Sequence, residues 1–314
     1  MIVGDLDRVE LTSRLSSEQG LSLQTGPFST CIRSRWPQIA DGISLLYPDF
    51  SLASDDLPAD FTVNIAGTAG LRRWILPRAC YFLRGDQSPV FGWFPPQLAV
   101  PFLEWGMNYA IYGQLLSSLI LHAAVLERNG RALIIMGDSG AGKSTLCAAL
   151  TLSGWRLLTD ELGLVDLEDG MIVPLARPVG LKNESINVIR GFFPEAKLGP
   201  ICLTRRKGAV AHLRPPTESV RRIGDRAKPG WLVFVRYSPD APLNCEEIPR
   251  AQAFPGLSRG TFNYYGLGET GFHVLCRLLD QVVCQRLEYG RLEDVIAHFH
   301  LPPYGRGLCQ EKQV

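Results

Sequence analysis

The sequence of 314 residues has almost no excess of either charge, with 32 basic against 31 acidic side chains. No overall field therefore attracts nucleic acid or a membrane surface, and a basic binding surface must be local. The chain also lacks the run of about 20 apolar residues that a membrane-spanning helix needs. Its most apolar stretch, residues 109–127, contains Gln114, two serines and His122. We expect neither a nucleic-acid partner nor a membrane partner.

No CxxC pair occurs among the eight cysteines, and their scattered positions favour buried reduced thiols over a disulfide framework or a zinc site. The first fifteen residues include early acids and no apolar run, which is not typical of a secretory signal. We therefore expect a cytoplasmic protein. The cysteines are Cys31, Cys80, Cys147, Cys202, Cys245, Cys276, Cys284 and Cys309.

The length predicts two domains, because a single core rarely grows past roughly 250 to 300 residues. Residues 26–95 are typical of an α+β region, with strands predicted at 28–36 and 61–67 and a longer β run over 72–85. Prolines at 95, 96 and 101 introduce residues 97–121, in which apolar side chains recur at helical spacing. We predict a buried helix there and a domain boundary near residue 100, giving domains 1–100 and 101–314.

The middle of the chain predicts a strand, loop, helix and strand with a hairpin on each side. Two short apolar runs flank Asn129-Gly130, a strong hairpin signal because both turn positions need positive φ. A helix is predicted after the loop, ending at Gly154, and then a strand over 155–161. A second hairpin is predicted at Asp169-Gly170. The arrangement favours a mixed sheet over a purely parallel one.

Two amphipathic helices are predicted near the end of the sequence. One covers residues 271–287 and the other, shorter one covers 292–299. Between the central region and these helices, residues 205–228 contain eight Lys or Arg against two acids. This basic segment is either a solvated face or a phosphate clamp.

The stretch "GDSGAGKST", residues 137–145, has the spacing of a phosphate-binding (Walker A) loop, with two glycines at a fixed interval followed by Lys and a hydroxyl residue. The glycines let successive N–H groups point at phosphate oxygens, and the following helix N-terminus adds its positive end. Lys143 would reach the β- and γ-phosphates, and the Ser144 hydroxyl would hold Mg²⁺. The alternative is a glycine-rich turn that only caps a helix. The predicted nucleotide-binding residues are Gly137, Asp138, Ser139, Gly140, Ala141, Gly142, Lys143, Ser144 and Thr145.

Asp160 and Glu161 end the strand that follows the loop's own helix, so the sequence predicts a carboxylate pair close to the γ-phosphate. A carboxylate there can orient Mg²⁺ or accept the proton of an incoming hydroxyl during in-line transfer. Two adjacent acids allow both roles to be filled. The alternative is that both acids only bind metal or cap a loop.

Residues 121–161, "LHAAVLERNGRALIIMGDSGAGKSTLCAALTLSGWRLLTDE", resemble the catalytic core of the bacterial HPr kinase/phosphorylases. That core has a His-Ala before a hairpin, a GxSGxGKS loop and an Asp pair after a G-x-R-L segment. The chain resembles most the branch called HPr-kinase-related kinase A, through "TGPF", "EWGMNYA", "GLKN", "FNYYGLG" and "LEYGRLEDVI". The resemblance covers most of the chain.

The resemblance implies an α/β fold with a P-loop kinase core of the HPr kinase/PEP carboxykinase type, a mixed sheet with flanking helices, after a smaller α+β N-terminal domain. It implies ATP and Mg²⁺ as cofactors, Asp160 as general base toward a protein serine, and Glu161 as a metal ligand beside Ser144. His122 matches the family histidine near the phosphates, and its alternative is a buried, hydrogen-bonded histidine. Arg226 or Lys228 of the basic segment would approach the nucleotide.

The resemblance also implies a peptide or small-protein acceptor, such as a carrier similar to the PqqD peptide chaperones, and a homo-oligomer, since HPr kinases assemble as hexamers. Two departures concern the acceptor. Residues 179–188, "VGLKNESINV", replace the family's "RGLGIINV", and Thr145 replaces the usual Glu. The fold and the nucleotide therefore carry over, whereas the acceptor does not, and the sequence leaves phosphorylase activity and HPr recognition open.

Three functions remain open from the sequence. The first is an ATP-dependent kinase that transfers the γ-phosphoryl group to a hydroxyl, of a Ser in a peptide or small protein. Here Lys143, Asp160 and His122 are the expected catalytic residues. The second is an ATP-binding switch without phosphotransfer, and the third is a kinase of a small molecule such as free serine or a sugar.

Overall fold

The structure, a computed structural model, describes residues 1–54, 57–67, 80–84, 94–205 and 207–304. The chain forms two compact units. The first contains Met1–Leu115 and Gly180–Arg221, and the second contains Leu116–Val179 and the chain from Arg222 on. This division differs from the single boundary predicted near residue 100, because a segment of the second half belongs to the first unit.

The elements follow one another along the chain as a mixture of helices and strands, with short 3-10 helices at Val3–Asp5 and Pro96–Leu98. In chain order they are α1 (Arg8–Ser16), β1 (Leu21–Thr25), β2 (Phe28–Ser34), α2 (Pro37–Leu46), β3 (Phe61–Gly67), β4 (Cys80–Arg84), α3 (Ala99–Tyr112), β5 (Ser118–His122), β6 (Ala124–Arg128), β7 (Arg131–Met136), α4 (Lys143–Leu152), β8 (Arg156–Thr159), β9 (Leu162–Asp166), β10 (Ile172–Val173), β11 (Val179–Lys182), α5 (Glu184–Phe192), β12 (Cys202–Thr204), β13 (Gly208–Leu213), α6 (Thr217–Arg221), β14 (Lys228–Tyr237), β15 (Asn244–Glu247), α7 (Arg250–Arg259), α8 (Tyr264–Gln281), β16 (Val283–Tyr289) and α9 (Leu292–His300).

The first unit has a four-stranded sheet in the order β1-β2-β3-β4 and a three-stranded sheet in the order β11-β13-β12. The strands predicted at 28–36 and 61–67 are present as β2 and β3, which pair in parallel. Of the β run predicted over 72–85, the part at Cys80–Arg84 is a strand, and the rest lies outside the described residues. The described part of this region thus combines helices with a sheet that contains both parallel and antiparallel pairs.

The second unit is built on a six-stranded sheet in the order β15-β16-β14-β7-β6-β8. The strands β7, β14 and β16 run parallel to one another, whereas β6 runs antiparallel to both β7 and β8. A smaller sheet has the order β10-β9-β5. The fold is therefore mixed α/β with a mixed sheet and flanking helices, as predicted.

Both predicted hairpins are present in the second unit. Asn129 and Gly130 form the two-residue turn between β6 and β7 with φ of 53° and 77°, so both adopt the left-handed conformation that this turn requires. Gly170, with φ of 74°, lies in the longer turn that joins β9 to β10. The second strand of the first hairpin leads directly into the glycine-rich loop.

Two helix predictions were too long. The helix expected over 97–121 ends at Tyr112, and Leu119 lies instead in β5, which pairs with β9. The helix expected over 271–287 ends at Gln281, and the chain continues as β16 beside β14. In both places the spacing of the apolar side chains fits a helix and a strand equally, and the hydrogen bonds of the neighbouring strand decide. The short helix predicted at 292–299 is present as α9.

The core of the second unit lies between the six-stranded sheet and the helices α7 and α8. Side chains of β7 and β14 such as Ile134 and Leu232 are fully buried there against Leu257 and Leu275. The helix α4 contacts β6, β7 and β8. Within the described part of the chain, none of the helices has the length and apolar character that crossing a membrane requires.

Candidate functional site

The glycine-rich loop joins the C-terminal end of β7 to the N-terminus of α4, both in the second unit. Gly137 and Gly142 have φ of 154° and 92°, a region that residues with a side chain rarely adopt. A Cβ atom on Gly137 would lie 2.6 Å from the Val235 carbonyl oxygen, and one on Gly142 would lie 2.5 Å from the Tyr289 hydroxyl. The conformation and the close packing therefore both require glycine at the two positions that define the motif.

The Lys143 ammonium group lies over the loop rather than extending away from it. Its Nζ donates hydrogen bonds to the carbonyl oxygens of Gly137 at 2.6 Å and of Asp138 at 3.0 Å. These two contacts hold a positive charge at the mouth of the loop. An anion that entered the loop would meet that charge and the N-terminal end of the helix together.

The first turn of α4 carries neither a side-chain cap nor an acidic residue, as far as the described residues show. The first N–H groups of a helix have no acceptor within the helix and need one from elsewhere. Here those groups belong to Lys143, Ser144 and Thr145, which are half-buried, while Asp138, Ser139 and Gly140 are exposed. Backbone N–H groups at such a loop–helix junction are of the kind that can bind an anion.

Two tyrosines that the sequence analysis did not identify support the loop from the ends of the neighbouring strands. The backbone N–H of Tyr237, the last residue of β14, donates to the Ala141 carbonyl at 3.0 Å. The hydroxyl of Tyr289, the last residue of β16, lies 3.4 Å from the Gly142 carbonyl. Burial raises the pKa of Tyr289, and the neighbouring Tyr237 raises it further, so the phenol stays neutral and donates. Only the pairing of β14 with β16 brings the two together, and that pairing is a long-range feature.

Asp160 and Glu161 follow β8 directly, as predicted, and both are half-buried. Because β6 is antiparallel to β7 on one side and to β8 on the other, β7 and β8 run in the same direction and end at the same edge of the sheet. Val125 of β6 pairs with Ile134 on one side and with Thr159 on the other. Asp160 is therefore level with the last residues of β7, two strands away, or about 10 Å across the sheet.

The Asp160 carboxylate also contacts the loop's own helix. Burial raises the pKa of the Cys147 thiol well above its ordinary value, and the negative charge of Asp160 and a hydrogen bond to it raise this pKa further. Cys147 lies four positions after Lys143 and three after Ser144, on the same face of α4. The carboxylate thus lies against the helix face whose first turn carries the lysine and the hydroxyl of the motif.

His122 lies at the same edge, where the chain passes from β5 to β6. It pairs with Leu162 of β9, the residue after Glu161. The chain passes between the two sheets at His122, from β5 to β6, and again at Asp160 and Glu161, from β8 to β9, so these two connections are neighbours. The backbone N–H of His122 donates to the Gly260 carbonyl at 2.7 Å, and its ring makes an edge contact with Phe262, with 5.4 Å between centroids. The structure thus brings His122 and the acidic pair to one corner.

The segment "FNYYGLG", which the sequence analysis noted only through the resemblance, is attached to this corner by Asn263. The Asn263 side chain accepts a hydrogen bond from the N–H of Ile120 at 2.9 Å and donates one to the carbonyl of Ser118 at 2.8 Å. These bonds satisfy backbone groups of β5. The segment therefore forms part of the site's border next to His122.

Arg226 and Lys228, at the end of the basic segment, do not reach the loop. Lys228 pairs with Arg131 at the start of β7, and six residues of strand, roughly 20 Å, separate that end from the loop. Arg226 forms ion pairs with Asp166 at 3.1 Å and Asp169 at 2.7 Å. The expectation that Arg226 or Lys228 approaches a nucleotide in the loop is wrong, because β14 enters the sheet at the opposite edge.

The described residues contain no group of three or more His, Cys, Asp or Glu side chains that could hold a metal ion. A Mg²⁺ ion on a nucleotide needs fewer protein ligands, since phosphate oxygens and water complete its shell. Ser144 offers a hydroxyl oxygen on the helix face that Asp160 contacts, and Glu161 follows Asp160 in the chain. This set of hard oxygen donors fits Mg²⁺.

No protein-family model matches the chain, and no curated protein matches it. A function must therefore be proposed from the site itself.

Proposed function

We propose that the protein is an ATP-dependent kinase that transfers the γ-phosphoryl group of ATP to a hydroxyl, of a Ser in a peptide or small protein. One relationship carries the proposal. The phosphate-binding motif and Asp160 lie at the same edge of one sheet, and Asp160 contacts the helix that begins with the motif's Lys143 and Ser144.

The loop would bind the triphosphate through its backbone N–H groups and through Lys143. A loop–helix junction of this kind is suited to a multiply charged anion. Lys143 would exchange its bonds to the Gly137 and Asp138 carbonyls for bonds to phosphate oxygens. Ser144 and Glu161 would hold Mg²⁺, which neutralises charge that develops on the phosphates.

Asp160 would accept the proton of the acceptor hydroxyl while the hydroxyl oxygen attacks the γ-phosphorus in line. The bond from the γ-phosphorus to the bridging oxygen breaks, and ADP leaves with that oxygen. His122, at the same corner, would lie near the transferred group. Most of the rate enhancement in such a reaction comes from positioning and charge stabilisation, which a loop anchored by two strands provides.

The experiment separates nucleotide binding from transfer in an Asp160→Asn variant. We expect ATP binding, measured by calorimetry, to change little, whereas phosphoryl transfer falls at least about a hundredfold because a general base contributes about that much or more. Asp166→Asn is the matched control. Asp166 lies at the far end of β9, where it accepts the N–H of Glu168 at 2.8 Å, and its variant should transfer at the wild-type rate.

Labelled ATP, incubated with the protein in a cell lysate, identifies the acceptor class. Label on a protein or peptide supports the proposal, and label on a small molecule shows a small-molecule kinase instead. If ATP binds but no stable labelled product forms, the protein is a nucleotide-dependent switch. Unchanged transfer in Asp160→Asn would remove this residue from the role of base. The resemblance also favours a homo-oligomer, which light scattering on the purified protein would test.

A further inference from the structure

Tyr237 has an exposed aromatic ring fixed beside the phosphate-binding motif, and the proposed reaction gives it no role. Its side chain is 47% exposed, whereas that of its neighbour Tyr289 is 2% exposed. The two rings meet edge to face, with 5.6 Å between centroids. The Tyr237 ring thus contacts a buried ring, while about half of the residue remains exposed to solvent.

The position of Tyr237 relative to the loop is tightly determined. Its N–H donates to the Ala141 carbonyl, and its Cβ lies 3.2 Å from where a Cβ on Gly142 would be. Phe234 of β14 pairs with Met136, the last residue of β7, so β14 continues three residues, roughly 10 Å, beyond the level at which the loop begins. The last three residues of β14 therefore lie beside the loop, and Tyr237 is the last of them.

The order of the strands sets the direction in which a bound nucleotide would extend. On one side of β7 lie β6 and β8, which lead to Asp160, and on the other side lie β14 and β16, which end in Tyr237 and Tyr289. In the proposed function the γ-phosphate faces Asp160. The nucleoside, at the other end of the triphosphate, then leaves the loop toward β14 and β16.

We infer that Tyr237 is the stacking platform for the base of the nucleotide. This inference rests on the proposed function and deepens it, because it assigns the subsite that distinguishes a nucleoside triphosphate from a bare polyphosphate. An aromatic face supports any base by stacking, and a ring already held by its own backbone and by Tyr289 loses little freedom on binding. The recognition is therefore of a purine or pyrimidine face, without hydrogen bonds that select one base.

The test compares the magnesium salts of ATP and of inorganic tripolyphosphate by calorimetry. Tyr237→Ala should weaken ATP binding about 5- to 100-fold, the range that loss of one stacked aromatic ring produces, and should leave tripolyphosphate binding unchanged. Tyr237→Phe keeps the ring and should bind ATP as the wild type does. Tyr237→Leu keeps an apolar contact with Tyr289 but offers no aromatic face, so it should resemble Tyr237→Ala.

Phe272→Ala is the matched control for removal of an exposed ring. Phe272 is 46% exposed and makes a similar edge contact with Phe254, with centroids 5.8 Å apart, but it lies on α8 and not beside the loop. Its variant should bind both ligands normally. Lys143→Ala should weaken ATP and tripolyphosphate alike, because the lysine contacts phosphate in both.

Equal loss of both ligands in Tyr237→Ala and Tyr237→Leu would overturn the inference, since Tyr237 would then only support the loop. Unchanged ATP binding in these variants would overturn it as well. If the wild type binds neither ATP nor tripolyphosphate, the proposed function itself fails. Tight binding of tripolyphosphate with no gain from the nucleoside would overturn the base subsite while leaving the phosphate-binding motif in place.

Discussion

The thiol of Cys147, in the second turn of α4, interacts with the carboxylate of Asp160. The thiol is fully buried, its sulfur lies 3.9 Å from the Thr159 carbonyl oxygen, and its pKa is raised by burial and by the Asp160 charge. A neutral thiol can donate to a carboxylate, whereas a thiolate would repel it. The pair thus couples the stability of the second unit to the protonation of Cys147.

This coupling predicts a loss of stability at high pH. The folded Cys147 keeps its proton above its ordinary pKa of about 9, while the unfolded one loses it. Its contribution is therefore fully present below pH 9 and decreases as the pH rises above it, by up to about 1.4 kcal/mol per pH unit. Urea unfolding of the wild type and of Cys147→Ser between pH 7 and 10.5 measures this, since serine does not titrate there.

The expected result is that the difference in unfolding free energy, wild type minus variant, falls above pH 9 and is flat below it. Cys147→Ala is the companion variant, which also lacks a titrating group and must show the same pH-dependent difference. Parallel curves over the whole pH range would mean that neither burial nor the Asp160 charge raises the pKa of this thiol in the folded protein.

A second prediction concerns the two left-handed glycines nearest α4. Gly140 and Gly142 have φ of 88° and 92°, so alanine should destabilise either position by about 1 to 2 kcal/mol. A Cβ on Gly140 meets nothing within 4 Å among the described residues, whereas one on Gly142 lies 2.5 Å from the Tyr289 hydroxyl. Gly142→Ala should therefore lose about 1 to 3 kcal/mol more than Gly140→Ala in chemical unfolding.

Removal of the opposing hydroxyl tests the cause of that extra loss. Tyr289→Phe deletes the atom that a Cβ on Gly142 would approach, so the double variant with Gly142→Ala should recover part of the loss. The same Tyr289→Phe change combined with Gly140→Ala should show additive effects, because these sites share no close contact. Additivity in both pairs would show that the Tyr289 hydroxyl does not cause the extra loss in Gly142→Ala.

Local signals predicted the centre of the fold well. Asn129-Gly130 specified its hairpin because positive φ at two successive residues suits few others, and the spacing from Gly137 to Ser144 specified a strand, a loop and a helix. The position of Asp160 directly after the next strand was also predicted from neighbouring residues, because the mostly apolar residues 155–158 specified that strand. Each of these features lies within about 35 residues of sequence, where turn chemistry and apolar periodicity suffice.

The parts that sequence reasoning missed depend on which strands become neighbours. Val283 begins a strand because β14 offers its hydrogen bonds, and nothing within residues 271–287 specifies that partner. Tyr237 reaches the loop through the pairing of β14 with β7, and Tyr289, 52 positions later, reaches it through the pairing of β16 with β14. Sequence reasoning could not place Lys228 for the same reason. Its pairing with Arg131 puts it at the start of β7, at the end of the sheet opposite the loop.

A last prediction concerns the buried ion pair between Arg156 of β8 and Glu127 of β6, at the edge of the sheet opposite Asp160. Both side chains are almost fully buried, and the arginine also donates to the carbonyls of Arg222 and Asp225 at 2.9 Å. Arg156→Met should destabilise the protein by about 3 to 5 kcal/mol, because the buried Glu127 carboxylate then keeps the Gly130 N–H as a donor but loses its closest cation, with the Arg222 guanidinium at 3.6 Å.

Replacing both partners distinguishes the charge from the packing. Arg156→Met together with Glu127→Leu buries no unpaired charge and should recover much of the stability lost by either single change. Arg286→Ala, which breaks an exposed pair with Glu246, is the control and should change the unfolding free energy by no more than about 1 kcal/mol. A double variant as unstable as Arg156→Met would show that the hydrogen bonds of Arg156 to the Arg222 and Asp225 carbonyls, and not its charge, hold this edge of the sheet together.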